Sequence, residues 1–244
     1  MRQLLVPVIG LLLALTGSVR AESVLVAAAA NVTAVVGEIA AAFAAETGHE
    51  VVLTFGSTGG LYAQITQAAP FDVYLAADAE RPERALAEGH AVRGSGFTYA
   101  YGRLALYSTT RDVSGAAALD GEFRRLAIAD PQLAPYGRAA MEVLAALGRS
   151  AAVADRLVTG ASVTQALQFV VSGNAELGFV AASQIGEGAH WLVPARLHAP
   201  IRQDAVLLLA GADNPAALAF MAFLRGEAAA AMLRDAGYGV DEDR

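Results

Sequence analysis

The 244-residue chain contains no cysteine, no lysine and a single tryptophan. Without cysteine no disulfide can hold it, so stability must come from a hydrophobic core, and cysteine usage says nothing of a redox role. Without lysine the phosphate-binding G-x-x-x-x-G-K-[ST] loop cannot be completed, and no such loop is present. Positive charge is scarce: all 17 basic residues are arginine, against 24 acidic ones. That balance argues against nucleic acid and against anionic membrane surfaces as partners. Beyond the first 21 residues no run approaches the ~18 apolar residues a membrane-crossing helix needs.

What is abundant is apolar material, 55% of the chain, enough for a large core. Part of it belongs to the N-terminus. Arg2 precedes the apolar stretch Leu4–Leu15, and Val19-Arg20-Ala21 has the small-residue pattern of a cleavage site. Residues 1–21 read as a secretory signal cut after Ala21 rather than as a buried helix of the mature fold. Its removal leaves 15 basic and 24 acidic residues, a formal charge of −9.

After residue 21, short apolar runs alternate with longer helical ones. Strands are expected at Val24–Ala29, Val51–Phe55 and Phe71–Ala76, each followed by a helix: Val32–Ala45, Gly60–Ala69 and Arg81–Glu88. Gly48 and Gly89 follow helix ends, where glycine serves as a stop signal. The alternation restarts near residue 100. It predicts strands at Arg103–Tyr107, Leu126–Ala129, Leu177–Val180, Trp191–Pro194 and Val206–Ala210. Helices are expected at Gly137–Leu147, Ala151–Leu157, Val163–Val171, Pro215–Leu224 and Glu227–Ala236.

Alternating βα units imply mostly parallel sheets flanked by helices. Two series imply two α/β lobes: 22–100 plus 203–244, and 101–202. The chain would cross out near Tyr99–Arg103 and back near Ile201–Asp204 as a two-stranded hinge. Open α/β sheets bind ligands at the carboxyl ends of their strands, so facing lobes create a cleft.

Four strand-to-helix loops can line that cleft. They are Ala27–Val32, Gly56–Gly60, Asp130–Gly137 and Thr159–Thr164. Each opens a helix, whose first turn leaves backbone N–H groups unpaired and carries about half a positive charge. Small residues let a ligand approach those donors, and Asn31, Ser57, Thr58 and Tyr136 add side-chain donors. No basic residue enters these loops until Arg138. Such a set suits a deprotonated dianion held by hydrogen bonds alone, each contributing roughly 1.5–3 kcal/mol. Taken singly, each has a plainer reading. Asn31, Ser57 and Ser162 are ordinary helix caps, and Tyr136 between proline and glycine is ordinary turn packing. Four matching loops together carry more weight.

Other chemistry finds little support. Ser57 lacks the G-x-S-x-G elbow of a serine hydrolase, which leaves that activity a remote alternative. His49, His90, His190 and His198 lack metal-ligand spacing and read as surface residues. Asp72 and Asp78 flank a strand, with Asp78 placed to cap the next helix.

The runs Val26–Asn31, Phe55–Leu61, Ala69–Val73, Ala76–Asp78, Ala129–Gly137 and Ser172–Val180 together resemble the periplasmic molybdate-binding proteins of ABC transporters. The resemblance spans nearly the whole mature chain. It implies the two-lobed periplasmic-binding-protein fold, no enzymatic activity, no cofactor, a permease partner and a monomer in the periplasm. Molybdate, and with it tungstate, would sit between the lobes, the metal entering only as its oxyanion. By position, Ala30 and Asn31 would serve the first loop, Ser57 and Thr58 the second, Tyr136 the third, and Val163 the fourth through its backbone N–H. Some members have serine where this chain has Ala30, so only the backbone serves there. Others place a ligand tyrosine after the strand ending at Val180, where this chain has Ala181; Tyr136 looks like its replacement. Sulfate, another proton-free tetrahedral dianion, is the main alternative ligand, and anion sensing without transport the alternative role.

Overall fold

The computed structural model describes residues 22–186 and 188–240, so the expected leader, residues 1–21, lies outside the described residues. The described chain folds around two five-stranded sheets with helices on their faces. The first sheet contains β1 (Ser23–Ala29), β2 (Glu50–Gly56), β3 (Val73–Leu75), β4 (Phe97–Gly102) and β10 (Ile201–Leu207), in the order β2-β1-β3-β10-β4. The second contains β5 (Leu104–Ser108), β6 (Leu126–Ala129), β7 (Leu157–Gly160), β8 (Leu177–Ala181) and β9 (Ala189–Leu192), in the order β7-β6-β8-β5-β9.

The two orders are equivalent. In each sheet three strands pair in parallel, β2-β1-β3 and β7-β6-β8, and one strand, β10 or β5, runs against its neighbours. That reversed strand is the one that has just arrived from the other sheet. The two crossings lie side by side, because β4 and β10 pair antiparallel with Ile201 opposite Gly102 and Gln203 opposite Ala100.

The helices are α1 (Thr33–Thr47), α2 (Thr58–Thr66), α3 (Glu80–Ala87), α4 (Pro135–Ala146), α5 (Ser150–Val153), α6 (Val163–Val171), α7 (Pro215–Arg225) and α8 (Glu227–Asp235). α1 buries Val35, Val36, Ile39 and Phe43 on one face of the first sheet, where Phe43 meets Phe220 of α7 edge to face. The opposite face is covered by Leu61, Tyr62 and Ile65 of α2. α1 ends where the sequence predicts: Gly48 takes φ 75°, and its N–H returns to the Ala44 carbonyl. Gly89, Gly148 and Gly173 have similar positive φ values after α3, α4 and α6.

Several boundaries differ from the sequence reading. β4 starts at Phe97, two residues before the expected outward crossing, and pairs with β10 as the two strands expected there. The expected helix Ala151–Leu157 stops at Val153, continues as a tighter turn over Ala154–Arg156, and gives way to β7. The reason is that Leu157–Thr159 pairs in parallel with β6, and a sheet partner overrides a weak helical pattern. The last strand begins five residues earlier than expected, at Ile201, and 209–211 forms a turn. His49 is buried rather than surface, stacked on Phe43 with its Nδ1 accepting from the Glu22 N–H.

Candidate functional site

Ala30, Asn31, Ser57, Thr58, Tyr136 and Val163 come together around one small cavity of about 10 Å³ between the sheets. No charged side chain lines it. Four helical starts meet there: the tight turn Ala30–Val32 leading into α1, and the first residues of α2, α4 and α6. Small residues permit the approach. A Cβ on Gly137 in α4 would sit 2.7 Å from the Ala129 carbonyl carbon and 3.0 Å from that of Asp130, so only glycine lets this helix start so close to the end of β6.

Helix starts leave N–H groups without intrahelical partners. Some are capped here. Ser57 Oγ accepts from Gly60 N–H at 3.3 Å, Ser162 Oγ accepts from Gln165 N–H at 3.3 Å, and Gly59 N–H reaches across to the Leu133 carbonyl at 2.8 Å. The caps read from the sequence are therefore present at Ser57 and Ser162. The backbone N–H groups of Asn31, Thr58, Tyr136 and Val163 make no hydrogen bond to another described residue. Four buried donors at four positive helix ends, with no acidic lining, form an electropositive pocket without a formal charge.

The side chains divide differently. Thr58 is 1% exposed, and its Oγ1 accepts from Ala77 N–H at 3.1 Å, which fixes the rotamer and leaves the hydroxyl proton to give. Asn31 spends both side-chain N–H groups away from the cavity, on Gln203 Oε1 at 2.9 Å and Tyr238 Oη at 3.3 Å. Its Oδ1 is buried without a partner among the described residues. The Tyr136 hydroxyl accepts from Gln203 Nε2 at 3.4 Å. Burial pushes the Tyr136 and Tyr99 phenols well above their ordinary range and Tyr238 up to about 12, so all three stay neutral donors.

The family model described as "Bacterial extracellular solute-binding protein" matches residues 24–239. The chain belongs to that family. This solute-binding protein is 50% identical over 230 residues to the molybdate-binding protein ModA of Azotobacter vinelandii, covering 91% of either chain. It is 49% identical over 223 residues to ModA of Rhodobacter capsulatus, covering 89% of this chain and 88% of that one. The solved structure of the Azotobacter vinelandii periplasmic molybdate-binding protein superimposes with a TM-score of 0.87 at 39% identity, covering 90% of this chain and all of that one. The two-lobed fold expected from the sequence is the fold of this family, whose relatives are binding proteins and not enzymes.

Among the described residues no histidine bonds to Ser57: His49 bonds to Glu22, His90 lies 3.8 Å from the Glu88 carboxylate, His190 bonds to the Gly188 carbonyl, and His198 to the Ala199 carbonyl. The nearest charges of this solute-binding protein stand at the cleft mouth, where they join the two sides. Arg138 of α4 reaches Glu80 at 3.1 Å and Asp78 at 3.8 Å, and Arg81 donates to the Gln132 carbonyl at 2.8 Å while pairing with Asp78. Asp78 also accepts from the Arg81 N–H at the start of α3, the capping role read for it. Burial raises the Asp78 carboxyl above its usual range, and Arg81 offsets part of that shift.

Sequence reasoning missed the residues behind the cavity. Tyr99, Gln203 and Tyr238 join Asn31 and Tyr136 in one buried polar network. Tyr99 and Gln203 fall within the predicted crossings, Tyr99–Arg103 and Ile201–Asp204, whose mixed polar and apolar residues gave no signal that singles them out. Tyr238, 207 residues from Asn31, had none.

Proposed function

We propose that this protein captures molybdate, and tungstate of the same shape and charge, between its lobes and delivers it to an ABC permease. The observation that carries this reading is the convergence of four helix starts, with unpaired N–H groups, on an enclosed cavity free of charged side chains. A dianion gains from every such donor, whereas a cation or a carboxylate-seeking ligand finds no counterpart. The names of its half-identical relatives supply the anion. Asn31, Tyr136 and Val163 act through backbone N–H, Thr58 through N–H and hydroxyl, and Ala30 and Ser57 shape the wall. Phosphate, which usually carries a proton at neutral pH, lacks a carboxylate here to accept it. The lobes divide as 22–100 plus 203–244 and 101–202, hinged at the paired crossings. The exported chain begins at Glu22 and works as a monomer in the periplasm.

Thermal unfolding with each anion in turn tests the reading. At one hundred times its dissociation constant a ligand adds ~2.7 kcal/mol, or roughly 5–10 °C for a chain this size. Molybdate and tungstate should give that shift; its absence would rule the function out, and an equal response to sulfate would remove the assigned specificity. Thr58→Ala should weaken binding about tenfold, whereas Tyr136→Phe keeps the backbone donor assigned to Tyr136 and should change affinity little. Unchanged affinity in both would mean that backbone groups alone hold the ligand.

A second prediction concerns pH. No carboxylate, histidine or arginine lines the cavity, and burial moves the Tyr136 phenol upward, away from neutrality. Molybdate affinity should therefore be flat between about pH 6 and 9. A titration by calorimetry showing a step within that window would place a charged group in the site.

A further inference from the structure

The carbonyl of Ala30 is gripped from the opposite side of the cleft. Thr164, the second residue of α6, donates its hydroxyl to Ala30 O at 3.0 Å. Gln184, in the turn Ala182–Gln184 after β8, donates Nε2 to the same oxygen at 2.9 Å and to Thr164 Oγ1 at 2.8 Å. Thr33 of α1 adds a hydroxyl from its own side at 2.8 Å. The Gln184 Oε1 is buried without a partner among the described residues, so the amide's bonds all run through Nε2, to Ala30 O across the cleft and to Thr164 Oγ1 beside it. Neither Thr164 nor Gln184 lines the cavity.

A trans peptide unit is planar, with its C=O and N–H on opposite edges. Fixing the Ala30 carbonyl therefore fixes the N–H of Asn31, one of the four unpaired donors of the site. Hydrogen bonds accepted by a carbonyl also polarise the N–H of the same peptide and make it a stronger donor. Because the two gripping side chains come from elements of the second sheet, the bonds cross the cleft, and opening it would break them. We infer that Thr164 and Gln184 are positioning residues that aim and strengthen the Asn31 N–H toward the oxyanion upon closure. The inference rests on the oxyanion reading and deepens it: closure completes a donor as well as trapping the ligand.

The test uses the full mature protein and molybdate as probe. Thr164→Val and Gln184→Met remove the donors at nearly constant volume, and Thr164→Ser restores the hydroxyl. Two readouts are taken: the molybdate dissociation rate, and the backbone amide proton shift of Asn31 in the complex. Valine and methionine at these positions should speed dissociation roughly tenfold, the size expected for one neutral hydrogen bond. They should also move the Asn31 amide proton upfield, with serine at 164 close to wild type in both. The melting temperature of the unliganded variants should stay unchanged, because opening the cleft breaks the bonds. Faster dissociation with an unmoved Asn31 amide would overturn the positioning role and leave a simple lobe contact. Serine behaving like valine would overturn it in favour of packing. Wild-type rates in all three variants would overturn it outright. A wild-type protein that fails to bind molybdate would instead overturn the reading beneath it.

Discussion

Replacing Val163 by proline should weaken molybdate binding between about tenfold and a hundredfold, yet leave the unliganded protein folded. The expected loss is that of one hydrogen bond to a charged group, roughly 1.5–3 kcal/mol. Proline is normally a crude tool, but here it is a clean one. Val163 is the first residue of α6, a position where proline's missing N–H breaks no intrahelical bond and its fixed φ suits the helix. The residue before a proline must be extended, and Ser162 already is, at φ −146° and ψ 167°. The Ser162 cap to Gln165 N–H does not involve the Val163 N–H. Only the N–H facing the cavity is lost. Val163 is also buried against the second lobe's core, so Val163→Ala is the necessary control. It removes side-chain packing and keeps the donor, and its affinity should remain near wild type. Isothermal calorimetry on both variants decides the matter. If proline and alanine bind molybdate equally well, the fourth helix start is not a ligand donor.

That experiment targets a residue legible in the sequence for reasons worth separating. Val163 itself is unremarkable; the loop Thr159–Thr164, which opens a helix, and the family resemblance point to it. Patterns of period and punctuation are local, and so they mark α6 and β6 with correct ends and glycine stops at 48 and 89. What depends on distant partners was not visible. β7 reads as the end of a helix until β6 is placed beside it. His49 looks like a loop residue until Phe43 is stacked on it. The cavity follows the same division. Its lining comes from helix starts, which sequence marks well. Of the side chains that hold the lining in place, Gln203, Tyr238 and Gln184 come from elements outside the four loops, and no local pattern singles them out; Thr164 lies within one of those loops, but its partner Ala30 is 134 residues away.

The same division explains why the site uses so few side chains for binding. Asn31 was read as a donor from backbone or side chain, and its amide proves to be engaged on Gln203 and Tyr238 instead. A side chain that holds the frame cannot also follow the ligand. Backbone N–H groups at helix starts need no rotamer to be frozen on binding, so their donor geometry is set before the anion arrives. The network behind Asn31 and Tyr136 is neutral throughout, with three tyrosines kept protonated by burial. A charge placed there would compete with the helix ends for the anion at close range.

Gly102→Ala should weaken molybdate binding by a further route, between about fivefold and a hundredfold, by forcing the cleft open. Gly102 is the last residue of β4, where the chain leaves the first sheet. A Cβ there would overlap the Tyr136 hydroxyl, lie 2.9 Å from Tyr136 Cζ and stand 2.7 Å from Gln203 Nε2. None of these atoms can yield freely. The Tyr136 ring is 2% exposed beside Pro135 at the start of α4, and the fully buried Gln203 is held by Asn31 and Tyr99. Overpacking of a well-filled interior costs about 1–3 kcal/mol. The strain falls on the contact between the crossing strands and the second lobe's Tyr136 loop. Opening the cleft relieves it without unfolding either sheet. Small-angle scattering with saturating molybdate should accordingly show a larger radius of gyration than in wild type, while the melting temperature without ligand falls little. The decisive comparison is Gly102→Ala combined with Tyr136→Phe. Removing the hydroxyl takes away the worst overlap, so the double variant should bind better than Gly102→Ala alone, even though Tyr136→Phe is expected to change affinity little by itself. Losses that merely add would show two independent sites and break the proposed link between hinge and cavity.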